Sequence, residues 1–80
     1  NFDIASVVSD GGNPSTITVT TLYAHGLFPG CPIVVDMTAG TNTSYAEGSF
    51  IINAIPSTTT FQFTAKTGAV ISGSLAAIIN

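Results

Sequence analysis

Charge is what this chain has least of. Lys66 is the one basic residue against Asp3, Asp10, Asp36 and Glu47, so 6% of the 80 residues are charged and the formal net charge is -3, where ordinary domains carry about 25%. With no arginine and one lysine there is nothing to neutralise phosphates, which argues against nucleic acid and against an anionic membrane surface as partners. Cysteine is almost absent as well. Cys31 alone cannot close a bridge within the chain, which removes the disulfide-scaffold class and leaves pairing with another chain open. One histidine, His25, one thiol and scattered carboxylates supply none of the close ligand pairs of a zinc site, so no metal or other cofactor is expected. No Gly-x-Ser-x-Gly elbow, phosphate loop, dinucleotide fingerprint or calcium loop occurs. No apolar run approaches the ~20 residues of a membrane span, and no basic segment precedes an apolar core as in a signal peptide.

Apolar residues are plentiful. They make up 45% of the chain, at a mean hydropathy of +0.53, which separates it from disordered chains of equally low charge. A chain this short buries only about 60 to 65% of the surface exposed by its unfolded form, so it is expected to lean on neighbours. It begins at Asn1 and closes on an apolar pattern, which reads as a piece of a larger polypeptide or a processed subunit.

The punctuation is that of short strands. Residues 2–8 read as a first strand, closed by Asp10-Gly11-Gly12-Asn13-Pro14, whose residue types favour turns. Thr16 to Thr21 alternates with period two, placing Ile17 and Val19 on one face. His25-Gly26-Leu27-Phe28-Pro29-Gly30 then reads as a corner, with Gly26 free to take positive φ and Pro29-Gly30 at the centre of a type II turn. Leu27 and Phe28 are expected to plug one end of the core. Cys31 to Met37 reads as a third strand and residues 38–44 as an exposed polar loop. Ser49 to Ile55 reads as one strand with Phe50, Ile52 and Ala54 inward. Pro56 to Thr59 connects it to Thr60–Ala65 as a hairpin. Val70 to Ile79 supplies one long bent strand or two short ones around Gly73. About six short strands without helical periodicity predict an all-β chain, a single small antiparallel β-barrel or sandwich domain spanning 1–80.

Catalysis at His25 would need a nucleophile and an orienting acid beside it. Cys31 has no acidic helper in its neighbourhood of sequence, so no catalytic residue is expected and His25 reads as a turn histidine serving backbone groups at the corner. Tyr23, Phe28, Asn42 and Tyr45 are the candidates for an interface or a ligand-binding loop, as aromatic anchors or a platform for sugars. Asn42-Thr43-Ser44 also matches a glycosylation sequon, which matters only in a secreted eukaryotic protein.

The string Ile17-Thr18-Val19-Thr20-Thr21, then His25-Gly26-Leu27, Gly30, Ile33 and Val35, then Glu47-Gly48-Ser49-Phe50-Ile51-Ile52 and Pro56 through Phe63, resembles a small β module. That module recurs in structural and fibre proteins of tailed bacteriophages. The chain is also similar to the small β-barrel insert called the first catalytic cysteine half-domain in ubiquitin-activating enzymes, which has no catalytic group of its own. The resemblance covers roughly residues 15 to 65. It departs from the module at Glu47-Gly48, where Asn-Gly is usual, and at Cys31, where aspartate is common. What it implies is a virion component: capsid decoration, tail or baseplate accessory, or fibre. Its partners would be other virion structural proteins and copies of itself, with a host glycan as the alternative.

Overall fold

The computed structural model describes all 80 residues, Asn1–Asn80. The chain is all-β, with seven antiparallel strands: β1 (Ile4–Ser9), β2 (Thr16–Thr21), β3 (Pro32–Thr41), β4 (Gly48–Ile51), β5 (Ala54–Ser57), β6 (Thr60–Thr64) and β7 (Ser72–Ile79). They form one sheet in the order β4-β3-β7-β1-β2-β6-β5, curled into an open half-barrel. One 3-10 turn, Thr43–Ala46, follows β3.

The period-two pattern sets the inner face. Ile17 and Val19 of β2, Ile33, Val35 and Met37 of β3, and Phe61 and Phe63 of β6 all point into the curl, where Ile52, Ile71 and Ile79 join them. Each such side chain contributes roughly 1.5 to 3 kcal/mol on burial. Phe50 lies against Phe63 with ring centroids 4.8 Å apart, closing the core beneath β4, and Phe2 approaches Phe61 at 6.1 Å.

There are seven strands rather than six because the segment read as one strand, Ser49–Ile55, divides. Ile52 bonds to the strand β3 side, its carbonyl accepting from Gly30 N–H (2.7 Å) and its N–H donating to Cys31 (2.9 Å), whereas Asn53 N–H donates to Gln62 on β6 (3.0 Å). The chain therefore bends between these two residues and serves both edges of the sheet. Residues 38–41, expected in a loop, extend β3. They find a partner in β7, where Ala39 pairs with Ala76 and Thr41 with Ser72 across two register shifts. β7 is a single strand that contains Gly73, at φ 85°. The β5–β6 hairpin is present, its connection narrowed to Thr58-Thr59 because Pro56 sits within the edge strand β5. No helix is long and apolar enough to cross a membrane.

Candidate functional site

The corner between β2 and β3 is built on backbone bonds to the β5–β6 hairpin. Thr21 N–H donates to Thr59 (2.7 Å) and His25 N–H to Thr58 (3.0 Å). The His25 ring completes the bracket. Its Nδ1 accepts Leu27 N–H at 3.0 Å, so the ring proton resides on Nε2, which faces the carbonyls of Thr60 (2.8 Å) and Ser57 (3.0 Å). The ring stands edge-on to Phe61, 5.6 Å between centroids and 88° between planes. After it, Phe28-Pro29-Gly30-Cys31 forms a turn closed by Cys31 N–H to the Phe28 carbonyl (3.1 Å), with Gly30 at φ 96°. Gly26 has φ 67°. Both glycines have open space where a Cβ would go, so a side chain there meets only backbone strain, about 1 to 2 kcal/mol.

Both ring nitrogens are thus engaged by backbone groups at the corner, Nδ1 as acceptor and Nε2 as donor. The Cys31 sulfur receives Phe28 N–H at 3.4 Å and is half-buried. The one cation, Lys66, donates to the Glu47 carbonyl (3.1 Å) and stands 6.0 Å from the Phe50 ring centroid. No group of three or more His, Cys, Asp and Glu side chains is placed to hold a metal ion.

Leu27 packs against the core, but Phe28 does not plug it: Phe28 is 70% exposed, and at that end the His25 ring is the one that stands against Phe61. Tyr23 is 71% exposed nearby in the chain. Beside the turn lies a groove of about 420 Å³ lined by Ala24, His25, Leu27, Phe28, Ile55 and Thr58, among others.

The four candidate interface residues fall into two groups at opposite ends of β2. Its Thr21 end adjoins the corner with Tyr23 and Phe28. Past its Thr16 end, Ser15 accepts from Ala65 N–H (2.8 Å), and the next residue, Lys66, donates its N–H to the Tyr45 carbonyl (2.8 Å). A six-residue strand spans roughly 20 Å, so no platform of Tyr23, Phe28 and Tyr45 forms. Nor is Tyr45 on an exposed loop. It is half-buried against the core and covers Gly68, whose missing side chain makes room for the ring. Asn42 is exposed in the left-handed region at φ 59°, where asparagine is tolerated, and its Nδ2 donates to the Val70 carbonyl at 3.0 Å.

Two residues that anchor this second end were missed in the sequence. Ser15, fully buried, donates to the Gly12 carbonyl (2.7 Å) and accepts Ile71 N–H (3.0 Å). The Asp10 carboxylate accepts N–H from Gly12 (2.8 Å) and Thr16 (2.9 Å), and these two bonds hold its pKa below the ordinary 3.8. The turn composition of residues 10–14 is the available signal, and Ser15 lies between that turn and the strand from Thr16.

Several large apolar side chains face outward. On the convex face, Val34 of β3, Ile51 of β4 and Ile78 of β7 are all exposed, in a register that sets Ile51 opposite Pro32 and Ile78 opposite Asp36. Fold and site together define a small all-β half-barrel module whose one histidine is a structural bracket. No protein-family model, no curated protein and no solved structure matches the chain.

Proposed function

We propose that this chain is a non-enzymatic structural module of a bacteriophage particle, making protein–protein contacts in a symmetric assembly as a capsid decoration or a tail or baseplate accessory. The observation that carries this reading is the exposure of three large apolar side chains, Val34, Ile51 and Ile78, on one face of three neighbouring strands of a chain with only five charged side chains. Exposed apolar side chains gathered on one face mark interaction sites, and Asp36, opposite Ile78, is a charge at their border. The resemblance through Ile17–Thr21, His25-Gly26-Leu27 and Phe50 to Phe63 supports a virion setting. The engagement of both His25 nitrogens supports a role without catalysis.

The test is sedimentation of the purified chain alone and with the capsid and tail proteins of a tailed phage. Association of defined stoichiometry is expected, weakened at least tenfold by Val34→Asp or Ile51→Asp. A stable monomer without affinity for those proteins would sink the reading.

A second reading, a carbohydrate- or receptor-binding module of a tail fibre, is favoured by Tyr23 and Phe28, both highly exposed next to the corner groove. It uses the corner and not the segment around Tyr45. A glycan array with no ligand, or with binding indifferent to Tyr23→Ala and Phe28→Ala, removes it.

A further inference from the structure

β1 and β7 run side by side yet share one ladder pair, Val7 with Leu75. In an antiparallel ladder, alternate residues direct both N–H and C=O to the same neighbour. The bond from Asp10 N–H to the Thr16 carbonyl assigns the even-numbered residues of β1 to β2, since Val8 lies opposite Thr18 in the same register. Val7 and Ser9 therefore direct their backbone groups at β7. On β7, Val34 and Asn80 exchange both bonds, which turns the even-numbered positions toward β3, and Ile79 accepts from Phe2 on the β1 side.

Beyond Val7 the ladder stops, although β1 continues to Ser9 and β7 begins at Ser72. Gly73 in the left-handed region, with the register shift between Ala39 and Thr41, carries the start of β7 toward β3, where Ser72 pairs with Thr41. A groove of about 450 Å³ follows the β1–β7 seam, lined by residues 5–9 and Gly11 on the β1 side and by residues 71–75 on the β7 side, and its far end lies between Ser9 and the start of β7. The fully buried Ile71 is among its lining residues, and no ionisable or aromatic side chain lines it.

We propose that this groove receives the end of an extended, uncharged polypeptide strand from another protein, which continues the interrupted ladder along Ser9 and the start of β7. Ser9 on β1 and Gly73 on β7, the odd-numbered residues that face each other past the pair, offer a backbone donor and acceptor each, the complement of another strand and of neither an anion nor a cation. The absence of aromatic rings disfavours a sugar. Because Val7 and Leu75 already pair, only the backbone past that pair is open to a partner, which suits a strand's end. The inference rests on the reading that the chain makes contacts with other protein subunits, and it specifies how one such contact forms.

The test is an NMR titration of the isotope-labelled full chain with the capped peptide Thr-Ile-Thr-Val-Thr-Thr, the uncharged, alternating sequence of β2. Saturable shifts are expected at the Ser9, Gly11, Gly73 and Ser74 amides, with slowed hydrogen exchange at Ser9. The same peptide N-methylated at alternate residues lacks the donors and should bind at least tenfold more weakly. Ser9→Pro should cause a similar loss, and because proline can disturb β1 itself, the N-methylated peptide on the unaltered chain decides. Absence of saturable shifts, shifts at the His25 corner instead, or equal binding of the N-methylated peptide overturns the proposal. Shifts at the same amides on raising the chain's own concentration also overturn it, since a second copy is then the occupant. Association with phage proteins is measured separately, so either reading can fail alone.

Discussion

Replacing His25 by alanine removes three interactions at once, and the structure allows each to be weighed. The Leu27 N–H loses its Nδ1 acceptor at 3.0 Å, the Thr60 and Ser57 carbonyls lose the Nε2 proton, and Phe61 loses an edge-on ring at 5.6 Å. A hydrogen bond contributes about 1 kcal/mol net and an aromatic pair about 0.5 to 1.5 kcal/mol. His25 is only half-buried, so water recovers part of the polar loss, and the expected destabilisation is about 2 to 3 kcal/mol. With a urea dependence of about 1 kcal/mol per molar for so small a domain, the unfolding midpoint should fall by roughly 2 to 3 M. Two further variants separate the contributions. His25→Asn can still place an acceptor near Leu27 N–H, and His25→Gln can still place a donor near Thr60. Each should recover about 1 kcal/mol relative to alanine. A loss below ~0.5 kcal/mol for alanine, or no recovery in either amide variant, would refute the bracket, since both lie well under the effect of one hydrogen bond.

Ser15→Ala should cost about 2 to 3 kcal/mol in the same urea assay, because it strands the buried Ile71 N–H and deletes the bond to Gly12. At Gly68, where φ is 146° and a Cβ would collide with the Tyr45 ring, alanine should cost about 1 to 3 kcal/mol and expose Tyr45, read as a shift in its ultraviolet absorbance. Asp10 is held below 3.8 by the amides of Gly12 and Thr16, so its contribution to stability is present above that value and is lost as pH falls through the lower folded pKa. Asp10→Ala should therefore be less stable than the parent at neutral pH, and thermal melts of the two should converge on acidification below about 3.8. Melts that keep a constant separation to the acid end would contradict that assignment.

The strands were legible where one face is buried and the other wet. Thr16–Thr21 and Thr60–Thr64 alternate because β-branched and aromatic residues line one side of a sheet, and the structure keeps both segments. The bend between Ile52 and Asn53 was not legible. No glycine or proline marks it, and it arises from which neighbouring strand each backbone group finds, a tertiary choice. The extension of β3 through Thr41 was hidden for a related reason, since its small polar residues carry no pattern and only the pairing with β7 makes them a strand. At the corner, His25 and Pro29-Gly30 could be recognised by residue type alone. The outward turn of Phe28 could not be read from residue type, since its ring is exposed while the His25 ring stands against Phe61. Tyr45 was misread because the composition of its surroundings is loop-like, whereas Gly68, far along the chain, supplies its seat.

The bend at Ile52 and Asn53 also bears on aggregation. An open sheet offers two unpaired edges to any passing strand, and proteins commonly guard them with charge. This chain has almost none to deploy. Its edges are β4 and β5, four residues each and consecutive, with Pro56 interrupting the second. Short edge strands are one way sheets avoid edge-to-edge pairing, and here a single segment bent between Ile52 and Asn53 forms both edges. If the edges are guarded in this way, the guard lies in backbone geometry and is expected to be insensitive to salt, which screens charge repulsion.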